Sequence, residues 1–269
     1  MGETIACANQ KGGVGKTTTV VNLAAYLALD GHSVLLIDLD PQGNATSGLG
    51  IDKSSVTSSA YDALVGDVPL VELAQPSAVP NLSVLPASMS LAGLEVELAP
   101  LEGRERRLRR SLDRTTLSYE YILLDCPPSL GLLTLNALTA ADSVLIPIQC
   151  EYYALEGLTD LLSTIDLVRD HLNPRLSIKG VLLTMYDART KLAADVVAEV
   201  RRHLGDRVYD TVVPRSVRLS EAPSYGLPIP LYQPDSRGAI AYRALAAEVT
   251  ARAAGPSADA HTEREAVLA

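Results

Sequence analysis

The sequence predicts a doubly wound α/β fold, a mostly parallel sheet with helices on both faces. Three observations lead there. Short apolar runs alternate with helical patterns along nearly the whole chain, as strands buried on both faces and their crossover helices require. A glycine-rich turn joins the first apolar run to the first helical one. The 269 residues, 47% of them hydrophobic, can form one sizeable core and lie far from the composition of disordered chains.

The elements follow in order. TIACAN (4–9) is a short apolar run that ends at the glycine turn and reads as the first strand. The first helix starts in GKTTT, continues through VVNLAAYLAL and stops at Gly31, where glycine suits a helix C-cap. SVLLID (33–38) and LSVLPA (82–87) are the next strands. Residues 92–114 space Leu98, Leu101, Leu108 and Leu112 on one face, which predicts a helix whose arginines form a solvated surface or, alternatively, a partner contact. YILLD (121–125), SVLIPI (143–148), IKGVLLTM (178–185) and RVYDTVV (207–213) complete the strands. No repeat or linker interrupts residues 1–254, which predicts a single domain. GPSADAHTEREAVLA (255–269), polar and alanine-rich, reads as a frayed tail.

Composition removes several classes of function. No apolar run approaches the roughly 18 residues of a membrane span. The N-terminus lacks the basic and apolar regions of a secretory signal. Cys7, Cys126 and Cys150 are odd in number and lack metal-ligand spacing, so they read as reduced thiols of a cytosolic protein. The net charge is −9, yet residues 175–218 hold nine Lys and Arg against five Asp and Glu. A basic region on an acidic protein suits a polyanion-binding face; solvated helices produce the same count.

The chemistry concentrates in NQKGGVGKTTT (9–19). The phosphate-loop pattern G-x-x-x-x-G-K-[ST] places Gly15, Lys16 and Thr17 correctly, but Gln10 stands where the first glycine belongs. Gly12, Gly13 and a second lysine, Lys11, come instead. In a strand–loop–helix setting, the backbone N–H groups from Gly12 through Val14 to Thr18 can face a phosphate, aided by the positive end of the helix. Lys16 is placed to reach the β- and γ-phosphates, and the Thr17 hydroxyl to ligate Mg²⁺. Asp38 and Asp40 close the second strand and Asp125 the fourth, so all three should converge on the phosphates. Asp125 is the candidate for holding Mg²⁺ through water, with Asp38 as a further metal candidate. Asp40 is placed to orient or deprotonate the attacking water. A strand-terminal Asp also serves as a turn or helix cap, and Asp38 is open to that reading as well as to the place nearest the water.

KGGVGKTTT, DLDPQGNATSGLG, DCPPSLG, PIQCEYYALEGL, LTMYDARTKL and PRSVRLSEAPSYG occur in this order over roughly residues 4–250. Together they resemble the ParA family of deviant Walker-A ATPases, which are P-loop NTPases. The similarity is greatest to the chromosomal, Soj-like members without an N-terminal DNA-reading domain. The resemblance implies that Lys11 crosses the interface of an ATP-bound homodimer to contact the partner's nucleotide. A cation on the loop's outer side can stabilise only a phosphate presented from outside, which agrees with that role. It further implies that Asp40 is the catalytic carboxylate of the first switch and that Asp125 opens a second switch ending at Gly131. The nucleotide would be ATP, since no N-K-x-D guanine motif occurs, with Met185 and Pro214 as adenine neighbours. Arg189 and Arg218 match sequence-independent contacts to double-stranded DNA, and Lys191 and Arg215 are weaker candidates on the same face.

The expected output is segregation of chromosome or plasmid copies by a cytoplasmic, nucleoid-associated switch. A ParB-like centromere-binding partner would stimulate its hydrolysis. The alternatives are a MinD-like membrane-associated ATPase, an ATP-dependent metabolic ligase on the same fold, and an electron-transfer ATPase like the nitrogenase iron protein. The tail has no wide apolar face for a membrane. No small-molecule pocket is indicated, and Cys126 alone lies near a switch.

Overall fold

The computed structural model describes residues 2–66, 68–114, 119–151 and 156–253. Among the described residues, eight strands form one sheet: β1 (Glu3–Cys7), β2 (Val34–Asp38), β3 (Gln75–Pro76), β4 (Leu82–Leu85), β5 (Tyr121–Asp125), β6 (Ser143–Gln149), β7 (Ser177–Tyr186) and β8 (Val208–Pro214). Their order is β3-β4-β2-β5-β1-β6-β7-β8, and every pairing is parallel except that of β3 with β4. The doubly wound class is therefore as the sequence predicts. From β1 the chain winds to β2 on one side and later reaches β6 on the other. This reversal makes the carboxyl end of β1 the switch point where such sheets bind ligands.

The helices are α1 (Lys16–Leu29), α2 (Asn44–Gly48), α3 (Ala60–Val65), α4 (Leu70–Leu73), α5 (Leu94–Leu98), α6 (Arg107–Asp113), α7 (Leu132–Ala140), α8 (Glu156–His171), α9 (Lys191–Leu204), α10 (Val217–Glu221), α11 (Ile229–Tyr232) and α12 (Arg237–Ala253). Alternate residues of each central strand feed two cores. Leu35 and Ile37 of β2 join Leu138 of α7 and Leu161 and Ile165 of α8 on one face. Val34 and Leu36 join Leu23 and Leu27 of α1 and Tyr242 and Leu245 of α12 on the other. Burial on both faces explains why the strands read as unbroken apolar runs.

All seven predicted strands form, with ends that differ by up to two residues. The two-residue β3 has no sequence signal; it lies at the sheet edge, where Pro76 is tolerated. The expected helix over 92–114 is a correction. The chain forms α5 and α6, separated by Pro100 and by Gly103 at φ +65°. A proline inside a helix removes a hydrogen bond, and a left-handed residue ends one. Leu98 and Leu108 still reach the core, whereas Leu101 is 40% exposed. The proposed tail, 255–269, lies outside the described residues.

Candidate functional site

β1 ends at Cys7 and α1 begins at Lys16, so residues 8–15 form the loop at the switch point. Gly13 and Gly15 hold positive φ, +74° and +90°, where side chains are strained. Gly12 is different: a Cβ there would meet only Pro128 Cβ, at 3.9 Å, so this subunit alone does not demand a glycine. Gly15 precedes α1 and has no side chain with which to cap it, which leaves leading N–H groups for an anion. The Thr184 hydroxyl, at the end of β7, ties the loop down by donating to Val14 O at 2.8 Å. Asn9 adds a second tie, donating from Nδ2 to Pro147 O and accepting from Lys11 N–H.

The two lysines of the loop separate. Lys16 is 6% exposed, and its Nζ donates to Lys11 O at 3.2 Å. The Lys11 side chain is 40% exposed, with Nζ 3.7 Å from Glu151 Oε2. One cation thus faces the interior of the loop and the other its rim. Thr17 and Thr18 follow on the first turn of α1.

The three carboxylates converge. Asp38 and Asp125 are register partners on β2 and β5, both fully buried, and Asp40 is 8% exposed. Asp38 is committed to its own loop: Oδ1 accepts from Asp40 N–H at 3.2 Å, and Oδ2 accepts from the Thr46 N–H and hydroxyl at 2.8 and 2.7 Å. These bonds tie the end of β2 to the first turn of α2. Burial nevertheless pushes its carboxyl up to about 6. Among the described residues, neither oxygen of Asp125 has a hydrogen-bond partner of ordinary geometry, although the Thr17 hydroxyl lies near enough to favour the charged form. Burial first, then the neighbouring Asp38, push its pKa well above the usual carboxylate range, while the Thr17 hydroxyl and Lys16 act in the opposite sense. A buried, bare carboxylate is costly without a compensating charge. Its oxygens, together with the Thr17 hydroxyl, fit a hydrated Mg²⁺. Asp40 stands further out and accepts from Gln42 N–H at 2.9 Å.

Met185 and Pro214 lie half-buried at the ends of β7 and β8. Met185 is one of two non-glycine residues at positive φ among the described residues, +52°. Such strain at a strand end beside the loop is the kind found at binding sites. The three thiols are buried and unpaired to one another, and burial raises the pKa of each, so they are inert.

The basic segment is not one face. Lys179 is buried against Glu3 at 2.8 Å near the start of β7, and Arg201 donates to Asp210 O. Arg189, Lys191, Arg215 and Arg218 gather at the opposite, carboxyl-end rim, where Arg215 N–H donates to Tyr186 O and joins the two loops. All four are exposed. Arg189 pairs with Asp187 at 2.6 Å and Arg218 with Glu221 at 2.8 Å.

Sequence reasoning missed three residues that hold the site. Besides Thr184, Thr46 passes the restraint of Asp38 on to Ala87 N–H through its hydroxyl, at 3.0 Å. Glu95 accepts from Leu132 N–H at 2.7 Å, and a Cβ on Gly131 would lie 2.0 Å from the same oxygen. Residues 95 and 131 thereby fasten the end of the Asp125 loop to the segment before α6. None of these partnerships has a local sequence signal.

A family model described as an AAA domain matches residues 2–178. The chain is 61% identical over 251 residues to the sporulation initiation inhibitor protein Soj of Bacillus subtilis, covering 93% of this chain and 99% of that protein. It is 55% identical over 252 residues to the chromosome partitioning protein ParA of Myxococcus xanthus, covering 94% and 89%. Among solved structures, cobyrinic acid a,c-diamide synthase from Mycobacterium smegmatis, with a bound ATP analogue and magnesium, superposes with a TM-score of 0.81. That likeness is at 40% identity over 92% of this chain and 93% of the other.

Proposed function

This chain belongs to the Soj/ParA family of chromosome-partitioning ATPases, and on that premise we propose that it is an ATP-operated dimerising switch that holds and releases DNA. The observation that carries the reading is the division of labour between the loop lysines: Lys16 buried inside, Lys11 half-exposed on the rim. An enclosed phosphate needs one cation; a rim cation serves a phosphate presented by a second copy.

In this reading the N–H groups of Gly12 to Thr18 and the Lys16 ammonium hold the β- and γ-phosphates of ATP. Mg²⁺, when bound, neutralises charge on those phosphates and is held by the Thr17 hydroxyl and, through water, by Asp125. Asp40 orients the attacking water, on a loop kept in place by Asp38 and Thr46. Lys11 of each subunit completes the site of the other, so a lone subunit turns over slowly. Arg189, Arg218, Lys191 and Arg215 then present a doubled set of cations to DNA phosphates, without base readout. A ParB-like partner accelerates hydrolysis, and the protein works on the nucleoid in the cytoplasm. Residues 1–254 act as one ATPase domain.

ATPase activity with DNA and the partner, added separately and together, tests this. Strong stimulation only when both are present is expected. Turnover indifferent to both would contradict the switch.

A further inference from the structure

Glu151 stands between two cations that the proposed function uses for different tasks. Its Oε2 lies 3.7 Å from Lys11 Nζ, and its Oε1 lies 3.7 Å from Arg215 Nη2. Gln149 Nε2 donates to that same Oε1 and steadies the carboxylate. The backbone there is held too, with Cys150 N–H donating to Thr184 O at 3.0 Å. Thr184 also anchors Val14, so the residue facing Lys11 is mounted on the frame that shapes the loop.

We infer that Glu151 is a positioning residue that parks Lys11 against its own subunit until a partner's nucleotide draws the lysine away. This rests on the proposed ATP-bound dimer, in which Lys11 has to leave its own rim. The geometry suits a restraint that yields. Both ion pairs are long, and their side chains are 40%, 47% and 58% exposed for Lys11, Glu151 and Arg215. Water screens such pairs, and each contributes little on its own. A triphosphate with Mg²⁺ offers Lys11 a denser set of acceptors and displaces one shared carboxylate. Arg215 competes for Glu151, so the grip on Lys11 is set by two cations dividing one anion.

Two substitutions should act in opposite directions. Glu151→Gln removes the anion and keeps the shape; Arg215→Ala removes the competitor and leaves Glu151 wholly to Lys11. The first readout uses nucleotide-free protein: brief acylation with a lysine-reactive ester, quantified by mass spectrometry at Lys11 against Lys53 in the same molecule. Lys11 should react faster in Glu151→Gln and slower in Arg215→Ala, each by about 1.5- to 5-fold, the range an exposed ion pair supports. The second readout is the ATP concentration that gives half-maximal dimer without DNA, which should fall in Glu151→Gln and rise in Arg215→Ala by similar factors. Unchanged Lys11 reactivity in Glu151→Gln, or shifts of the same sign in both variants, overturns the inference. A parental protein that fails to dimerise with ATP defeats the proposed function instead, while the acylation result still decides what Glu151 does.

Discussion

Asp38 and Asp125 stand side by side at the carboxyl ends of neighbouring parallel strands, both fully buried, yet among the described residues Asp38 is firmly hydrogen-bonded and Asp125 has no partner of ordinary geometry. Two adjacent buried carboxylates, one of them bare, destabilise the ligand-free chain unless one keeps its proton. Asp125→Asn removes that cost. The ligand-free variant should gain about 1–3 kcal/mol, which raises the thermal midpoint by about 2–4 °C per kcal/mol in a chain of this size. The part of the ATP-induced shift that depends on Mg²⁺ should disappear. Thermal unfolding with ATP, with and without Mg²⁺, checks both. A destabilised variant that keeps the Mg²⁺-dependent shift contradicts the assignment.

The same pair gives the ligand-free chain a pH dependence. The Asp38 carboxyl, ordinarily near 3.8, is pushed up to about 6 by burial. Between these values the folded chain binds a proton that the unfolded chain has released. The stability it contributes is present below about pH 4 and declines as pH rises through about 6. Asp38→Asn should flatten this decline, by about 2–3 kcal/mol over the window at 1.36 kcal/mol per unit. Urea unfolding at a series of pH values measures it; an identical slope in parent and variant would sink the prediction.

How far these features were legible in the sequence depended on whether their cause was local. Apolar runs such as residues 34–38 announce a strand covered on both faces, and GGVGK announces its loop, because strand burial and turn geometry act over a few residues. The helix over 92–114 was misread for the same reason. Leucine spacing continues through Pro100 and Gly103, but backbone chemistry breaks the helix there. Glu95 and Glu151 carry no local signal, since the Leu132 N–H and the Lys11 ammonium they meet are 37 and 140 positions away in sequence. The Thr184–Val14 bond spans 170 positions and has no periodic signature. The basic count over 175–218 does not say which charges share a face, because β7 and β8 run through the molecule and deliver them to opposite ends.

Asp40→Ala should trap the nucleotide-bound dimer. The phosphate contacts of Lys16 and the loop remain, while the group that orients water is removed, so hydrolysis falls by at least about 100-fold and nucleotide and DNA binding persist. Single-turnover hydrolysis beside DNA binding measures this. Hydrolysis at the parental rate moves the role to Asp38.

Arg189→Glu with Arg218→Glu should separate DNA binding from the nucleotide cycle. Both arginines are exposed at the carboxyl-end rim, and neither belongs to the loop or to the Asp40 and Asp125 segments. Affinity should fall for every DNA sequence. Log affinity should also depend less steeply on log salt, by roughly one unit for each phosphate no longer neutralised. ATP-dependent dimerisation should survive. A salt titration of DNA binding beside a sizing experiment decides; undiminished affinity would return attention to the arginines of α6.

In the proposed switch Lys11 and Lys16, five positions apart, serve two different nucleotides. Light scattering with ATP and Mg²⁺, set beside ATP binding, tests it in Lys16→Ala and Lys11→Ala. Lys16→Ala should lose ATP binding and with it the dimer. Lys11→Ala should bind ATP within a few-fold of the parent and yet stay monomeric at every ATP concentration, with hydrolysis abolished. An ATP-dependent dimer that forms normally in Lys11→Ala would show that this lysine does not reach across, and the account would fail.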